Sequence, residues 1–223
     1  MKKNNKFPIE FGNIEASLQY FLSINLPKNF KILDVGCNFG SLIYNLFQND
    51  YKQIYGVDIN QKAINIGKEK YKEISDKILL YEGKNLPFKD KYFDIILMFD
   101  VLEHIPDIEI FLKKEVKRVL KKNGMFIFQT PNKYTNIPWE ILIHKSFSKY
   151  KKWHCSLQSY RSLNKLLLKT RFKHITIEKQ SILNSHNIKK VKKKFGLFGV
   201  IILKIWNKFP IYFSSNFWGQ CYK

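Results

Sequence analysis

Apolar residues first recur at helical spacing at Ile14, Leu18, Phe21 and Leu22, and Pro27 closes that segment before a compact apolar run, Lys31-Ile-Leu-Asp-Val35. Strand and helix periods then alternate. The pattern predicts helices over 42–47 and 61–74, strands over 53–57 and 77–81, and a buried strand over 93–99, where the run is almost unbroken. Ile108, Phe111, Leu112, Val116, Val119 and Leu120 mark an amphipathic helix that Asn123-Gly124 stops, and 125–129 reads as another strand. Such a βαβαβ rhythm predicts a parallel sheet covered on both faces, with ligands beyond the carboxyl ends of its strands.

Past Pro131 the rhythm weakens. Residues 131–153 are irregular and aromatic-rich, 157–168 are helical, and 173–182 alternate like a half-exposed strand. A basic run (Lys189, Lys190, Lys192, Lys193, Lys194) then leads into an apolar segment ending at Trp206, and a short aromatic strand near 217–222 closes the chain. With no internal repeat and no Gly/Ser-rich linker, the expectation is a single domain. It comprises an N-terminal helical cap (1–29), a core (30–130), and a last third (131–223) that supplies a substrate-facing insertion, the final strands and a basic-apolar cap.

Composition changes this picture in one respect. The 223 residues are 45% apolar and 16% aromatic, enough to build a core, but 39 basic residues against 18 acidic ones give a net charge of +21. An excess of that size points toward a polyanionic partner, nucleic acid or anionic lipid. The only arginines, however, are Arg118, Arg161 and Arg171, so the excess is lysine rather than the planar forks that read phosphate. Cys37, Cys155 and Cys221 are widely spaced and suggest neither a disulfide framework nor a cysteine zinc site. Met1-Lys-Lys-Asn-Asn-Lys lacks the apolar run of a secretory leader, and the longest uncharged apolar stretch, 195–203, is too short to span a bilayer. The expected location is the cytoplasm.

Chemistry concentrates just after the predicted strands. Ile32-Leu-Asp-Val-Gly-Cys-Asn-Phe-Gly40-Ser is a glycine-rich turn into a helix, where backbone can approach a ligand closely. It lacks the third glycine of a dinucleotide fingerprint and the Gly-Lys-Ser/Thr of a Walker loop. Asp34 at its mouth would repel a pyrophosphate and suit a cationic or hydrogen-bond-donating ligand. A second carboxylate, Asp58 in Val57-Asp-Ile-Asn60, ends the next strand at the distance at which an acid meets the two hydroxyls of a ribose. Asp94, in Phe-Asp-Ile, is expected to satisfy backbone donors at the start of its strand.

Taken in order, Leu33-Asp-Val-Gly-Cys-Asn-Phe-Gly40, Gly56-Val-Asp58, Leu86-Pro-Phe-Lys-Asp-Lys-Tyr-Phe-Asp94, Val101-Leu-Glu-His104 and Leu120-Lys-Lys-Asn-Gly-Met-Phe126 resemble the S-adenosylmethionine-dependent methyltransferases of the seven-stranded Rossmann-like class. The resemblance implies a doubly wound α/β fold with a mostly parallel seven-stranded sheet, helices on both faces and a C-terminal antiparallel hairpin. It implies S-adenosylmethionine as cofactor. Gly36, Cys37, Asn38 and Gly40 would pack on its methionine part, and Asp34 would lie near its amino group. Asp58 would take the ribose hydroxyls, Ile59 would pack on the adenine, Glu82 and Gly83 would meet the adenine's polar edge, and Phe99 would lie beside the cofactor.

On the acceptor side, Asp100-Val-Leu-Glu103-His104 places three ligand types at a spacing that converges on one helical face. It also resembles the divalent-metal motif of ubiquinone-pathway O-methyltransferases and small-RNA 2′-O-methyltransferases, with Asp in place of the usual first Glu. His154 is the candidate fourth ligand, and His104 and His154 are the candidate catalytic bases; the metal would be Mg²⁺ or Mn²⁺. The alternative is that Glu103 and His104 only brace the loop. Trp139, Tyr150 and Trp153 could form a stacking wall for a sugar or aromatic ring. The segment 189–208 joins positive charge to an apolar run, as a cap resting peripherally on an anionic membrane would, or as a buried helix with a solvated lysine face would. The expected function is methyl transfer, most simply O-methylation, to a small-molecule, glycan or lipid-linked acceptor. The alternatives are an RNA methyltransferase and a non-catalytic scaffold of the same fold.

Overall fold

The computed structural model describes residues 14–146, 148, 154–183 and 185–223. These form two compact units. The first draws on Met1–Asp100, Ile110–Ile127 and Tyr222–Lys223, the second on Val101–Glu109 and Phe128–Cys221.

In the first unit, α1 (Ile14–Ser23), β1 (Ile32–Val35), α2 (Ser41–Gln48), β2 (Ile54–Asp58), α3 (Gln61–Lys70), β3 (Ile78–Leu80) and β4 (Phe93–Phe99) follow one another. β1 pairs in parallel with both β2 and β4, so that Ile32 faces Ile54 on one side and Ile95 on the other; β3 joins β2 with Ile78 opposite Gly56. All four residues of β1 are buried, as befits a strand covered on both faces. Gly56 is required by space. A Cβ there would lie 2.0 Å from Ile43 Cδ1 and 2.8 Å from Cys37 Sγ, which shows how tightly α2 and the turn after β1 press on β2.

Two boundaries differ from the periodicity. The helix predicted to reach residue 74 ends at Lys70, because Tyr71 leaves helical geometry (φ −121°, ψ 73°); a 3₁₀ turn, Lys72–Ile74, carries the remaining apolar contact. The Tyr71 hydroxyl meets Ser41 Oγ at 2.7 Å and its ring stacks on Tyr44, so tertiary contacts decide this break. The helix from Ile108 runs as α4 (Ile108–Phe111), a π turn (Leu112–Val116) and α5 (Lys117–Val119), and strand geometry begins at Leu120. β5 (Leu120–Pro131) therefore already contains Asn123-Gly124, with Asn123 at φ 62°, where the sequence suggested a helix stop.

Glu115 and Arg118 explain the Leu86–Asp94 motif. The buried Glu115 carboxylate accepts the Leu86 N–H at 2.7 Å and two Arg118 N–H groups, while Arg118 also donates to the carbonyls of Leu86 and Phe88 and to Asp90. Hydrogen bonding to Glu115 holds the guanidinium well above its ordinary pKa. One of the three arginines is thus structural. Asp94 does satisfy a backbone donor, the Lys31 N–H at 2.9 Å, and also pairs with Lys121 at 2.8 Å.

The second unit carries the end of β5, α6 (Lys133–His144), α7 (Tyr160–Lys169), β6 (Lys173–Glu178), α8 (Ser185–Trp206) and β7 (Asn216–Tyr222). α6 was not legible in the aromatic-rich stretch. Asn132 caps it by accepting the Tyr134 N–H, and Pro138 lies inside it. α7 opens on a capping box between Ser159 and Ser162. α8 is broken at Gly196, whose φ 64° and ψ −158° are open to glycine alone. The Asn132 N–H bonds Ser215 O and the Lys223 N–H bonds Gly124 O, so β7 descends as β5 ascends and the pair is antiparallel. The seven strands order β3-β2-β1-β4-β5-β7-β6, a mostly parallel Rossmann-like sheet with antiparallel C-terminal strands.

Candidate functional site

In the first unit, the carboxyl ends of β1 to β4 carry every residue expected around the cofactor. Asp34, one residue from the end of β1, is only 4% exposed. Gly36 and Gly40 take φ values of 79° and 80°, the left-handed region that glycine enters freely, and they bracket a turn whose Gly36 and Cys37 N–H groups both donate to Val57 O. The turn is locked to β2 through Asp58: Oδ2 accepts the Asn38 N–H and Oδ1 accepts the Asn60 N–H, each at 2.8 Å. A carboxylate has about four acceptor positions, so each oxygen keeps room for one more donor. The helix that follows is capped by Asn60, which accepts the Ala63 N–H.

Ile59 is 67% exposed, and a Cβ on Gly83 would lie 3.2 Å from its Cγ2, so Ile59 and the Gly83 turn (φ 78°) are neighbours. Glu82 is exposed, and Phe99 is half-buried at the end of β4. Tyr81 is the residue that motif reasoning passed over. Its N–H donates to Asp58 O, and its phenol is pushed up to about 12, by burial first and then by the charges of Asp58 and Cys37. Its position immediately before Glu82 was the available signal.

The second unit holds a different cluster. Ligand atoms of Glu103, His104 and His154 lie within 4.8 Å of one another. Asp100 is not among these three. It adopts φ 54°, and Leu102–His104 is a single 3₁₀ turn, so Asp100, Glu103 and His104 do not lie on one α-helix as the spacing suggested. Glu103 is buried and structurally engaged: its carboxylate accepts the Thr130 hydroxyl at 3.0 Å, and its carbonyl accepts the Ser156 N–H and the Cys155 thiol. The His104 and His154 rings lie 5.1 Å apart. His154 Nδ1 is buried without a hydrogen-bond partner among the described residues, and burial, reinforced by the neighbouring His104, lowers the pKa of its imidazole. It is neutral at neutral pH, with a lone pair to offer. As a metal set, two imidazoles and a carboxylate already bound to a hydroxyl suit a borderline transition ion and fit Mg²⁺ poorly, since Mg²⁺ favours oxygen donors.

A cavity of about 350 Å³ in the same unit is lined by Asn136, Trp139, Val191, Lys194, Leu203 and Trp206, among others. Asn136 Oδ1 is buried there with no partner among the described residues, and Lys194 Nζ lies 5.5 Å from the centre of the Trp139 ring. Of the expected aromatic wall, Trp139 does line a cavity; Tyr150 and Trp153 lie outside the described residues.

Residues 33–128 match the family described as Methyltransferase domain. An uncharacterized protein of Methanocaldococcus jannaschii is 37% identical over 126 residues, covering 54% of this chain and 52% of the relative. A ubiquinone biosynthesis O-methyltransferase of Pelagibacter ubique is 36% identical over 107 residues, 48% of this chain and 44% of that protein. The chain thus spans about half the length of the curated relatives it matches. Among solved structures, an S-adenosylmethionine dependent methyltransferase from Mesorhizobium loti superposes with a TM-score of 0.70 over 95% of this chain and 100% of that one, at 14% identity, a likeness of fold.

Proposed function

We propose that the protein is an S-adenosylmethionine-dependent methyltransferase acting on an oxygen of a small, largely apolar acceptor. The observation that carries this reading is the Asp58 carboxylate, anchored by two backbone N–H groups at the end of β2 with acceptor capacity left on both oxygens, beside the Gly36–Gly40 turn of a matched methyltransferase domain. The residues suit that cofactor. It carries an ammonium, a sulfonium and a ribose but no phosphate, and Asp34 and Asp58 offer carboxylates where a phosphate-binding loop would offer only N–H groups.

When bound, S-adenosylmethionine supplies an activated methyl group. The chain's own contribution is to hold and orient. Asp34, Gly36, Cys37, Asn38 and Gly40 position the methionine part, Asp58 grips the ribose, and Ile59, Glu82, Gly83 and Phe99 frame the adenine side. Tyr81, kept protonated by burial and by Asp58, joins them as a neutral donor. Positioning of this kind supplies much of the acceleration of an in-line displacement. His154, neutral at neutral pH, is proposed to take the proton that the acceptor hydroxyl must lose; His104 and Glu103 hold its surroundings. No step is routed through Mg²⁺, which the Glu103, His104 and His154 donors fit poorly.

An apolar acceptor with a hydroxyl or amide edge suits the cavity that pairs Trp139 and Leu203 with the orphaned Asn136 oxygen. The name of the Pelagibacter relative points the same way, toward quinone-like rings. A glycan acceptor is the second choice: Thr135, Asn136, Asn187, Ser215 and Asn216 could meet hydroxyls, but they share the lining with Trp139, Phe195, Leu203 and Trp206. The test is transfer of tritiated methyl from S-adenosylmethionine into lysate separated into lipid, glycan, RNA and small-molecule pools. Label in the lipid or small-molecule pool supports the reading. Label confined to RNA replaces it with an RNA methyltransferase, and no label with no cofactor binding makes the protein a scaffold.

A further inference from the structure

The outer surface of α8 is apolar where a helix packed on a domain should be polar. After Gly196 the helix buries Gly199 and Leu203, four residues apart, and these define its inward face. Phe198, Ile201, Ile202 and Ile205, at i, i+3, i+4 and i+7, form a stripe on the other side, with Phe198 72% exposed and Ile201 and Ile205 each 55%. Exposed Leu197, Phe209, Tyr212 and Phe213 extend it. A cavity of about 310 Å³ between Ile202, Ile205, Trp206, Phe209 and Phe213 has Thr135 as its one polar lining residue.

Charge identifies what covers this face. From Lys179 to Lys223 the sequence holds nine lysines and no aspartate or glutamate. Lys192, Lys193 and Lys194 are exposed on the limb before Gly196, and Lys204 and Lys208 are exposed among the stripe residues. A second copy docked here would bring two lysine-rich faces together, and a nucleic acid would leave Leu197, Ile201, Ile202 and Ile205, which neither stack nor hydrogen-bond, uncovered beside the rings. An anionic bilayer surface offers both acyl chains for the stripe and negative headgroups for its lysine rim. No helix among the described residues is long and apolar enough to cross a membrane, so the contact is in-plane.

We propose that the limb of α8 after Gly196, with the Phe209–Phe213 segment, inserts shallowly into the surface of anionic membranes, and that the break at Gly196 lets the lysine limb lie along the headgroups while the apolar limb enters. This deepens the reading of an apolar acceptor by giving the route through which such a molecule arrives, yet it stands or falls separately. Of the two alternatives for 189–208, a buried helix with a solvated lysine face accounts for Gly199, Leu203 and the exposed lysines but leaves the outward apolar stripe unexplained.

The test is flotation of the full chain with vesicles of phosphatidylcholine alone and with about 30% phosphatidylglycerol. The expected result is binding to the anionic vesicles, weakened about tenfold or more on removal of phosphatidylglycerol or in about 0.5 M salt. F198S/I202S and K192E/K193E variants should each lose binding while their S-adenosylmethionine affinity and melting temperature stay at the parent's values. Failure of the parent to float with anionic vesicles overturns the proposal, as does a Phe198/Ile202 variant that floats equally well. So does light scattering that shows a parent dimer broken by the F198S/I202S change, which would assign the face to a second copy. Loss of methyl transfer with intact flotation would instead count against the proposed function.

Discussion

At the mouth of β2 a carboxylate is held by backbone: both Asp58 oxygens accept main-chain N–H groups, and the turn before it closes on Val57 O. In the second unit some buried polar groups, such as Asn132 and Thr170, are also held by backbone, but others are left over. The buried polar side-chain atoms without a partner among the described residues, Gln129 Oε1, Asn136 Oδ1, His154 Nδ1 and Gln220 Oε1, all belong to it. Isolated buried polar groups are costly and therefore informative. The first region holds its carboxylate ready with main-chain donors, as the proposed cofactor site requires; the second has polar and apolar loose ends that the proposed acceptor and membrane surface would satisfy.

The comparison can be broken in several places. The largest effect is expected at Arg118, because Arg118→Ala leaves the buried Glu115 carboxylate without its ion pair and releases the 86–90 loop: about 3–5 kcal/mol of stability should be lost in denaturant melts. A loss under 1 kcal/mol would mean the first unit is not braced as described. Next is His154→Gln, which should lower kcat by about 100-fold or more while leaving cofactor affinity in place. Its pH dependence has a definite sign. Since the folded pKa is lowered, the neutral base persists below the ordinary value of about 6.5, and the acid limb of the parent's rate profile should fall below that pH and vanish in the variant. The same shift means that native stability is fully present above about pH 6.5 and declines as pH falls toward the lowered folded value. Gly196→Ala follows, at about 1–3 kcal/mol from backbone strain, since a Cβ there meets nothing within 4 Å. Tyr81→Phe is the smallest, under about fivefold in cofactor affinity, because it removes one neutral hydrogen bond.

How much of this could be read from residues follows the same division. The core strands and the Asp34–Gly40 and Asp58 sites are set by local rules: unbroken apolar runs for parallel strands, glycine where φ is positive, a carboxylate at a strand end. Those rules placed the expected cofactor residues on four successive strand ends. Where distant contacts decide, local reading failed. Tyr71 breaks α3 through Ser41 and Tyr44, thirty and twenty-seven residues away in the chain. Spacing alone put Asp100 with Glu103 and His104, but the left-handed Asp100 and the short 3₁₀ turn undo the helix on which that spacing depended. His154 did join Glu103 and His104 across some fifty residues, a pairing legible from residue type and not from periodicity. The outward face of α8 could not be read at all, because an apolar stripe in sequence is ordinarily taken as the buried side.

Asp58 decides whether this end of β2 holds the cofactor, and calorimetric titration of S-adenosylmethionine into the parent and into Asp58→Ala measures that contribution. The parent should bind with one site per chain, and the variant should bind about 100-fold more weakly or not at all, since two charge-assisted hydrogen bonds to the ribose are lost. Melting temperature, followed in parallel, separates that loss from any unfastening of the Asn38 and Asn60 N–H groups. A parent that does not bind, or a folded variant that binds as tightly as the parent, would contradict the account.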